Sequence, residues 1–328
     1  MKKMSKVGFV ASVSLLFLFL NGLSSGAASG AEKDFPTKEI TIVVNFGPGG
    51  ARDILARGVS KTMSKYLGVP MVVMNMPGGG GAQALTNLYR LAPDGYTIAV
   101  GAMTDIIDQI MEKRDYDNKK FAYVGRAQSS PGFWFVKSDS PLRSFKDLKA
   151  LGKPVRYSAF SLTSNTTVAA MVASRREGFP LVLIGGYQSA AAASLALIRG
   201  EVEFSGITLS TATPFVKAGQ LRPLVAFAKD RYSAYPEVPT IGEAGYPDLE
   251  NFSMDFWFMT SPGVPKARMG VLEDALMKTL KDPEFLGWAK GANVDLGPLG
   301  GEEMGKMVLG LFELIEKYKG DIEKYIKK

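Results

Sequence analysis

Four short segments rich in glycine, serine, threonine and asparagine are the parts of this sequence best suited to binding chemistry. Each follows a predicted strand and precedes a predicted helix: Phe46-Gly47-Pro48-Gly49-Gly50, Gly101-Ala102-Met103-Thr104, Ser161-Leu162-Thr163-Ser164-Asn165 and Gly185-Gly186-Tyr187-Gln188-Ser189. Glycine lets backbone N–H groups approach a ligand closely, a helix N-terminus adds partial positive charge, and small polar side chains supply short donors. Ordinary turns and caps use the same residues, but four such segments at equivalent strand ends indicate an anion-binding site.

Three charged residues lie close to the first of these turns, at or near the start of the helix that follows it: Arg52, Asp53 and Arg57. An acidic residue in the first helical turn complements the macrodipole, so a structural role for Asp53 and contact with the ligand are both open. As a contact, Asp53 would select a ligand that carries a donor, such as an amino or protonated carboxyl group. Either arginine has the charge to neutralise a carboxylate, although charged residues on a helix mostly form a solvated face.

The composition removes most catalytic chemistry. The chain has neither cysteine nor histidine, so thiol nucleophiles, thiolate metal sites, disulfides and His-dependent triads are excluded. A hydrolase would need a Ser-Lys pair or paired carboxylates, and no Ser-x-x-Lys occurs. We therefore expect no enzyme activity, no cofactor and no metal site.

Basic residues are in mild excess, 39 against 32 acidic ones, which gives a formal net charge of +7 at pH 7. They are scattered rather than clustered with aromatic residues, so binding of nucleic acid is not indicated. A small positive bias attracts an anion only weakly.

The first 31 residues have the pattern of a secretory signal peptide. Lys2, Lys3 and Lys6 precede the apolar run Val7–Leu20, and small residues follow up to a predicted cleavage site at Ala31. No later stretch approaches the roughly 18 apolar residues that a membrane helix needs. We expect a soluble periplasmic protein without a lipid anchor, because no cysteine is present to carry one.

Short apolar strands alternate with helical patterns from Ile40 onward, which predicts α/β architecture. A strand at 40–45 leads into a helix at 53–67, the same alternation restarts after Pro131, and a helix at 302–319 carries one apolar stripe. A chain of 328 residues exceeds the size at which one core usually keeps growing. We predict a signal peptide at 1–31, a first lobe of 32–130 plus 250–328, and a second lobe of 131–249.

Ordered strings along the chain closely resemble the solute receptors of tripartite tricarboxylate transporters, the Bug receptors. They include Phe46-x-Pro48-Gly49-Gly50-x-x-Asp53-x-x-Ala56-Arg57, Pro77-Gly78-Gly79-Gly80-Gly81, Pro93-Asp94-Gly95-Tyr96-Thr97, Pro236-x-Val238-Pro239-Thr240 and Glu243-Ala244-Gly245-Tyr246-Pro247. The resemblance implies a two-lobe type II periplasmic binding protein of the α/β class. Each lobe is then a mostly parallel sheet flanked by helices, with the ligand cleft between the lobes.

The same resemblance implies a function and a set of contacts. The function is capture of a small carboxylate-bearing solute by a monomeric receptor, which delivers it to a membrane permease with one large and one small subunit. The candidate ligand-binding residues are Phe46, Gly47, Pro48, Gly49, Gly50, Asp53, Gly101, Ala102, Thr104, Phe160, Ser161, Thr163, Ser164, Asn165, Tyr187 and Thr208.

Departures from the family pattern leave the solute open. Thr163-Ser164-Asn165-Thr166-Thr167 stands where many relatives have Gly-Ser, small residues and then His, and Gly186-Tyr187-Gln188-Ser189 stands where they often have Pro-Tyr-Lys-Gly. Phe160 is bulkier than the small residue expected there. A di- or tricarboxylate, an aromatic acid and an acidic amino acid all fit this pattern.

A dinucleotide-binding oxidoreductase is the alternative interpretation. Gly79-x-Gly81-x-x-Ala84 follows a strand and opens a helix, as a Rossmann fingerprint does. However, Pro77 intervenes and no acidic residue ends the next strand at the expected place. The motif by itself has a high false-positive rate, so we favour the receptor.

Overall fold

The strand predicted from Ile40 is the first strand along the chain, and it belongs to a six-stranded sheet. The computed structural model describes residues 35–159, 161–187 and 190–326. The described residues from Pro36 onward belong to one compact unit. The predicted signal peptide lies outside the described residues.

The first segment alternates strands and helices as its hydrophobic pattern predicts. Its elements are β1 (Ile40–Val44), α1 (Ala51–Leu67), β2 (Met71–Asn75), α2 (Ala82–Arg90), β3 (Thr97–Ala102), α3 (Met103–Met111) and β4 (Ala122–Ser130). Helix α1 begins two residues before its predicted start at Asp53 and ends at Leu67 as predicted. Gly68 follows with a φ of 71°, a left-handed conformation that glycine adopts without strain. Leu55 and Val59 are fully buried on the inner face of α1.

The second segment repeats the alternation. Its elements are β5 (Gly132–Lys137), α4 (Asp147–Ala150), β6 (Val155–Ser158), α5 (Asn165–Glu177), β7 (Leu181–Ile184), α6 (Ala190–Ile198), β8 (Phe204–Ile207), α7 (Leu209–Lys217) and β9 (Leu221–Phe227). The alternation predicted after Pro131 is confirmed, for example by β6, α5 and β7.

The third segment returns the chain to the first sheet. It contains β10 (Met254–Thr260), α8 (Lys266–Thr279), α9 (Pro283–Gly291), β11 (Leu296–Gly300) and α10 (Gly301–Ile326). The predicted stripe of α10 is buried, including Met304, Val308 and Ile315. The helix runs beyond the predicted end at residue 319, because Ile322 is also fully buried and Tyr325 Oη lies 2.9 Å from Ser174 Oγ of α5.

Both sheets are mixed. The first has the order β11-β4-β10-β3-β1-β2 and the second the order β7-β6-β8-β5-β9. Strands β1–β3 and β6–β8 pair in parallel as predicted, whereas β10, β4, β11, β5 and β9 pair antiparallel to their neighbours. The first sheet takes its strands from 40–130 and 254–300, and the second from 132–227. The predicted lobe boundaries stay a prediction.

One apolar core contains residues packed on both sheets, and a second lies within the second sheet's layer around Phe133 and Phe135. The first includes Ile106 of α3, Val308 of α10 and Ala173 of α5. Helix α10 therefore packs on the first sheet with its N-terminal half and on α5 with its C-terminal half. Within the residues described, no helix is long and apolar enough to cross a membrane.

Candidate functional site

The carboxyl ends of the parallel strands in the first sheet meet the chain crossings. Strand β10 runs antiparallel to β3, with Phe256 opposite Ala102, the last residue of β3. Strand β4 runs antiparallel to β10, with Ser130 opposite Met254. The end of β4 and the start of β10 therefore lie at the edge where β1 and β3 end.

The second sheet has the same arrangement. Strand β5 begins beside the end of β8, with Phe133 opposite Ile207, and beside the end of β9, with Gly132 opposite Phe227. Only Pro131 separates β4 from β5. The strand-end turns of the two sheets are consequently joined at one crossing, which is where ligands bind in open α/β sheets.

The turn after β1 is held by Asp53. The backbone N–H of Gly49 donates to Asp53 Oδ2 at 2.9 Å, and Asn75 Nδ2 donates to Asp53 Oδ1 at 2.9 Å and to the Phe46 carbonyl at 3.1 Å. Arg57 completes the shell with Nε and Nη2 at 3.0 and 2.9 Å from the two carboxylate oxygens. Asp53 is buried, whereas Pro48, Gly49 and Gly50 are exposed. The Asp53 carboxylate therefore holds the turn in place from its buried side.

These partners also fix the charge of Asp53. Hydrogen bonds from Arg57 lower the pKa of the Asp53 carboxyl from 3.8 to about 2, with smaller lowering contributions from the Gly49 N–H and Asn75 against the opposing effect of burial. Asp53 is ionised at neutral pH, and its charge is matched by Arg57.

Arg52 forms a second, buried network beneath the same turn. Its Nη1 donates to Asn45 Oδ1 at 2.6 Å and to both Asp105 oxygens at 3.0 Å, and its Nη2 donates to Thr104 Oγ1 at 2.6 Å. The Phe46 ring lies 4.9 Å from the guanidinium carbon. This network could not be predicted from the sequence, because local spacing does not identify Asp105 and Asn45 as partners of Arg52.

The predicted loop Gly101–Thr104 is not a loop. Gly101 and Ala102 end β3, Met103 starts α3, and Asp105 Oδ2 accepts the Ala102 N–H at 2.8 Å. A Cβ at Gly101 would lie 2.3 Å from Trp257 Nε1. Close packing on Trp257 therefore explains this glycine.

The turn after β6 presents a cluster of hydroxyls. Ser161 Oγ lies 3.3 Å from Thr163 Oγ1, and Ser164 Oγ lies 2.7 Å from Thr167 Oγ1. Ser164 is the N-cap of α5 and accepts the Thr167 N–H at 3.4 Å. Ser161, Thr163 and Ser164 are all partly exposed, so solvent reaches the hydroxyls at this helix N-terminus.

Asn165 has a different environment from the rest of that turn. Its side chain is buried, and its Nδ2 donates to the carbonyl oxygen of Ser253, the residue before β10. The structure thus places this predicted contact against the chain crossing.

The two remaining second-sheet turns complete the edge. Gly185, Gly186 and Tyr187 follow β7, and Thr208 follows β8 as the N-cap of α7, accepting the Thr211 N–H at 3.3 Å. Phe160 lies outside the described residues, as do Gln188 and Ser189.

The charges at this edge are paired with one another. Arg52 bonds Asp105, and Asp53 bonds Arg57. Residues 161–165 and 185–187, with Thr208, contain no charged side chain. An anion here would be bound by backbone N–H groups, hydroxyls and the N-termini of α1, α5 and α7.

The remaining glycine-rich turn and the surface grooves give weaker indications of a binding site. In the Gly79–Gly81 turn, a Cβ at Gly81 would lie 2.6 Å from Asn45 Nδ2, so close packing on Asn45 explains this glycine. Two surface grooves of about 310 and 370 Å³ are lined by residues outside the candidate turns. One lies between α1 and α9, beside Arg57 and Trp288, and the other lies beside Tyr246. The described ranges contain no group of three or more acidic side chains that could hold a metal ion.

Comparison with known proteins finds a matching family. The family model described as "Tripartite tricarboxylate transporter family receptor" matches residues 55–308. A UPF0065 protein of Bordetella pertussis is 29% identical over 298 residues, covering 87% of each chain.

Solved structures agree on the fold. A TctC solute binding protein from Polaromonas superposes with a TM-score of 0.75 at 23% identity, covering 86% of this chain and 99% of that one. MatC from Rhodopseudomonas palustris, solved with bound malate, gives a TM-score of 0.68 at 24% identity over 88% and 100% of the two chains. The predicted two-lobe fold of the periplasmic binding proteins is confirmed.

Proposed function

Since the chain belongs to the tripartite tricarboxylate transporter receptor family, we propose that it captures a small carboxylate-bearing solute between its two sheets. The solute then passes to a two-component membrane permease. The family is one of solute-binding receptors, and this chain is a receptor of that kind.

One observation carries the proposal. The N-termini of α1 and α5 belong to different sheets, and both lie at the edges that Pro131 joins. Each has free access to solvent through an exposed or partly exposed turn. A solute with two carboxylates can place one at each helix N-terminus, where partial positive charge stabilises it.

The roles of the residues follow from their environments. Gly47 and Gly50 offer backbone N–H groups and no side chain that would block approach, whereas the N–H of Gly49 is already donated to Asp53. Asp53 does not contact the solute in this proposal, because hydrogen bonds from within the protein already fill both of its oxygens. It instead holds the Phe46–Gly50 turn in its binding geometry.

In the second sheet, side-chain hydroxyls take the donor role that glycine N–H groups have in the first. Ser161, Thr163 and Ser164 donate to the second carboxylate, and Tyr187 and Thr208 lie on the neighbouring turns of the same edge. Hydroxyls can act directly or through ordered waters. Closure of the two sheets by a hinge motion would bring both sets of donors onto one solute.

The bound malate of MatC supports a dicarboxylate as the first solute to test. A dicarboxylate matches the presence of two helix N-termini and the absence of an unpaired arginine among the described residues of the site. Residues 1–31 support export to the periplasm, where a receptor for a membrane permease must act.

Mass spectrometry of small molecules released from the purified protein identifies the solute. A thermal-shift screen of malate, other di- and tricarboxylates, aromatic acids and acidic amino acids then ranks ligands. An acid present at 100 times its dissociation constant should add about 2.7 kcal/mol of apparent stability. No response to any of these acids would contradict the proposal.

A pair of cap variants separates binding from stability. Ser164→Ala removes the α5 cap, and Asp282→Ala removes the α9 cap, where Asp282 accepts the Glu284 N–H at 2.8 Å. Both variants should lose about 1 kcal/mol of stability. Only Ser164→Ala should also weaken solute binding, by about tenfold or more, because it removes a hydrogen bond to a charged group.

A further inference from the structure

One polar side chain of the candidate turn is buried and forms a hydrogen bond with the chain crossing. Asn165, the first residue of α5, donates from Nδ2 to the carbonyl of Ser253. Ser253 lies between the fully buried Phe252 and the first residue of β10. This hydrogen bond connects the second sheet with the segment that carries the chain back to the first.

Beyond Ser253 the hydrogen bonds continue into the first sheet. Ser253 Oγ donates to Asp255 Oδ2 at 3.1 Å, and Arg126 Nη1 of β4 lies 3.3 Å from the same oxygen. Arg126 Nε donates to the Gly297 carbonyl of β11 at 2.8 Å. Asp255 is buried. The crossing at Ser253 is therefore fixed to β4 and β11, and Asn165 is its tie to α5.

On the other side, Asn165 is next to the hydroxyl turn. Ser164 directly precedes it and caps α5, and Trp134 Nε1 donates to the Thr166 carbonyl at 3.0 Å. The first turn of α5 is thus held to β5 by Trp134 and to the crossing by Asn165. If the second sheet rotates against the first, either Ser253 moves together with α5 or the hydrogen bond between Asn165 and Ser253 breaks.

We propose that Asn165 is a positioning residue, which couples the Ser161–Ser164 hydroxyl turn to the crossing at Ser253 and sets the balance between two arrangements of the lobes. The proposal deepens the proposed function, since lobe closure serves solute capture. A buried amide donor that loses its acceptor is costly, so the bond favours the arrangement in which it is made.

The absence of cysteine from the sequence makes a direct test simple. Cysteines introduced at the exposed positions Lys281 and Arg143, one in each lobe, are the only sites for nitroxide labels. Pulsed dipolar spectroscopy of the full chain without added solute then gives the distribution of distances between the lobes. The measurement compares the labelled parent with the parent carrying Asn165→Ala or Asn165→Asp.

Both substitutions remove the donor, and each should change the ratio of the two lobe arrangements by about fivefold, the worth of one hydrogen bond. Asn251→Ala is the matched control, because Asn251 lies in the same crossing but is exposed. It should leave the distribution unchanged. Distributions for both Asn165 variants that coincide with those of the parent and the control would overturn the proposal.

The failure of the proposed function would look different. The distance measurement needs no solute, so it tests Asn165 even if malate does not bind. Titration with malate as the probe adds the second readout: Asn165→Ala should alter malate affinity together with the distance distribution, whereas Ser164→Ala should alter affinity alone. An affinity change in Asn165→Ala without any change in distances would assign Asn165 to the solute and contradict the positioning role.

Discussion

Arg52 Nη1 lies 3.0 Å from each carboxylate oxygen of Asp105, and both side chains are buried. Arg52 lies in the first turn of α1, and Asp105 lies in the first turn of α3. The pair therefore fixes the turn after β1 to the end of β3. It also leaves no net charge at that point, so the solute would meet amides and helix N-termini.

Replacing Arg52 by alanine should destabilise the protein strongly. The substitution leaves Asp105 buried without its counter-charge, a change that typically costs about 3–5 kcal/mol. Urea denaturation gives the free energy of unfolding. Arg90→Ala is the control, because its pair with Asp115 is exposed and should contribute less than about 1 kcal/mol. Equal losses in the two variants would show that the buried pair has no special role.

The effect of Asp53 should depend on pH. Its pKa is lowered from 3.8 to about 2 in the folded protein, chiefly by hydrogen bonds from Arg57. The folded state therefore binds this proton less readily than the unfolded state. Its stabilising contribution is fully present above the ordinary value of 3.8 and is lost as the pH falls toward 2.

We expect Asp53→Asn to be less stable than the parent at pH 5, with a difference that shrinks as the pH approaches 2. Denaturation of both proteins across this range measures the difference directly, because the other carboxyls titrate alike in the two. A difference that stays constant with pH would mean that the charge of Asp53 is not what orders the turn.

Gly101 should tolerate no side chain, for a reason unrelated to ligand. Alanine would place its Cβ 2.3 Å from Trp257 Nε1, and such overpacking typically costs about 1–3 kcal/mol. Gly310→Ala on α10 is the contrasting change, since nothing lies within 4 Å of the new Cβ. It should raise stability by up to about 1 kcal/mol through helix propensity. Thermal melts of the two variants should move in opposite directions.

Local pattern predicted the strand ends and the helices that follow them. Gly68 as the stop of α1 and the buried stripe of α10 are cases where nearest neighbours decide the structure. The family resemblance added the two-lobe fold, because its strings recur along the whole chain. Strand β4, which leads into the first crossing, has no such local signal, because it reads AYVGRAQSS, with polar residues in a central strand.

The site was harder to predict wherever the decisive partner is distant in sequence. From the sequence, Gly101 resembles a glycine that lets a ligand approach the backbone, and its packing against Trp257 is not visible. Asn165 likewise resembles its hydroxyl-bearing neighbours, and its hydrogen bond to Ser253 is not visible. The role of Asp53 could not be decided from local sequence, because Asn75, which donates to the Asp53 carboxylate together with Arg57, belongs to the next strand. In each case tertiary packing decides which distant residues the position contacts.

The most direct test of the account is a titration followed by amide NMR. The ¹⁵N-labelled protein is titrated with the acid that gives the largest thermal shift, and the amides of Gly47, Gly49 and Gly50 are followed together with those of residues 161–164. We predict that both groups shift and yield one dissociation constant, as expected if one solute contacts both sheets. Shifts confined to one group, or to neither, would contradict capture between the two sheets.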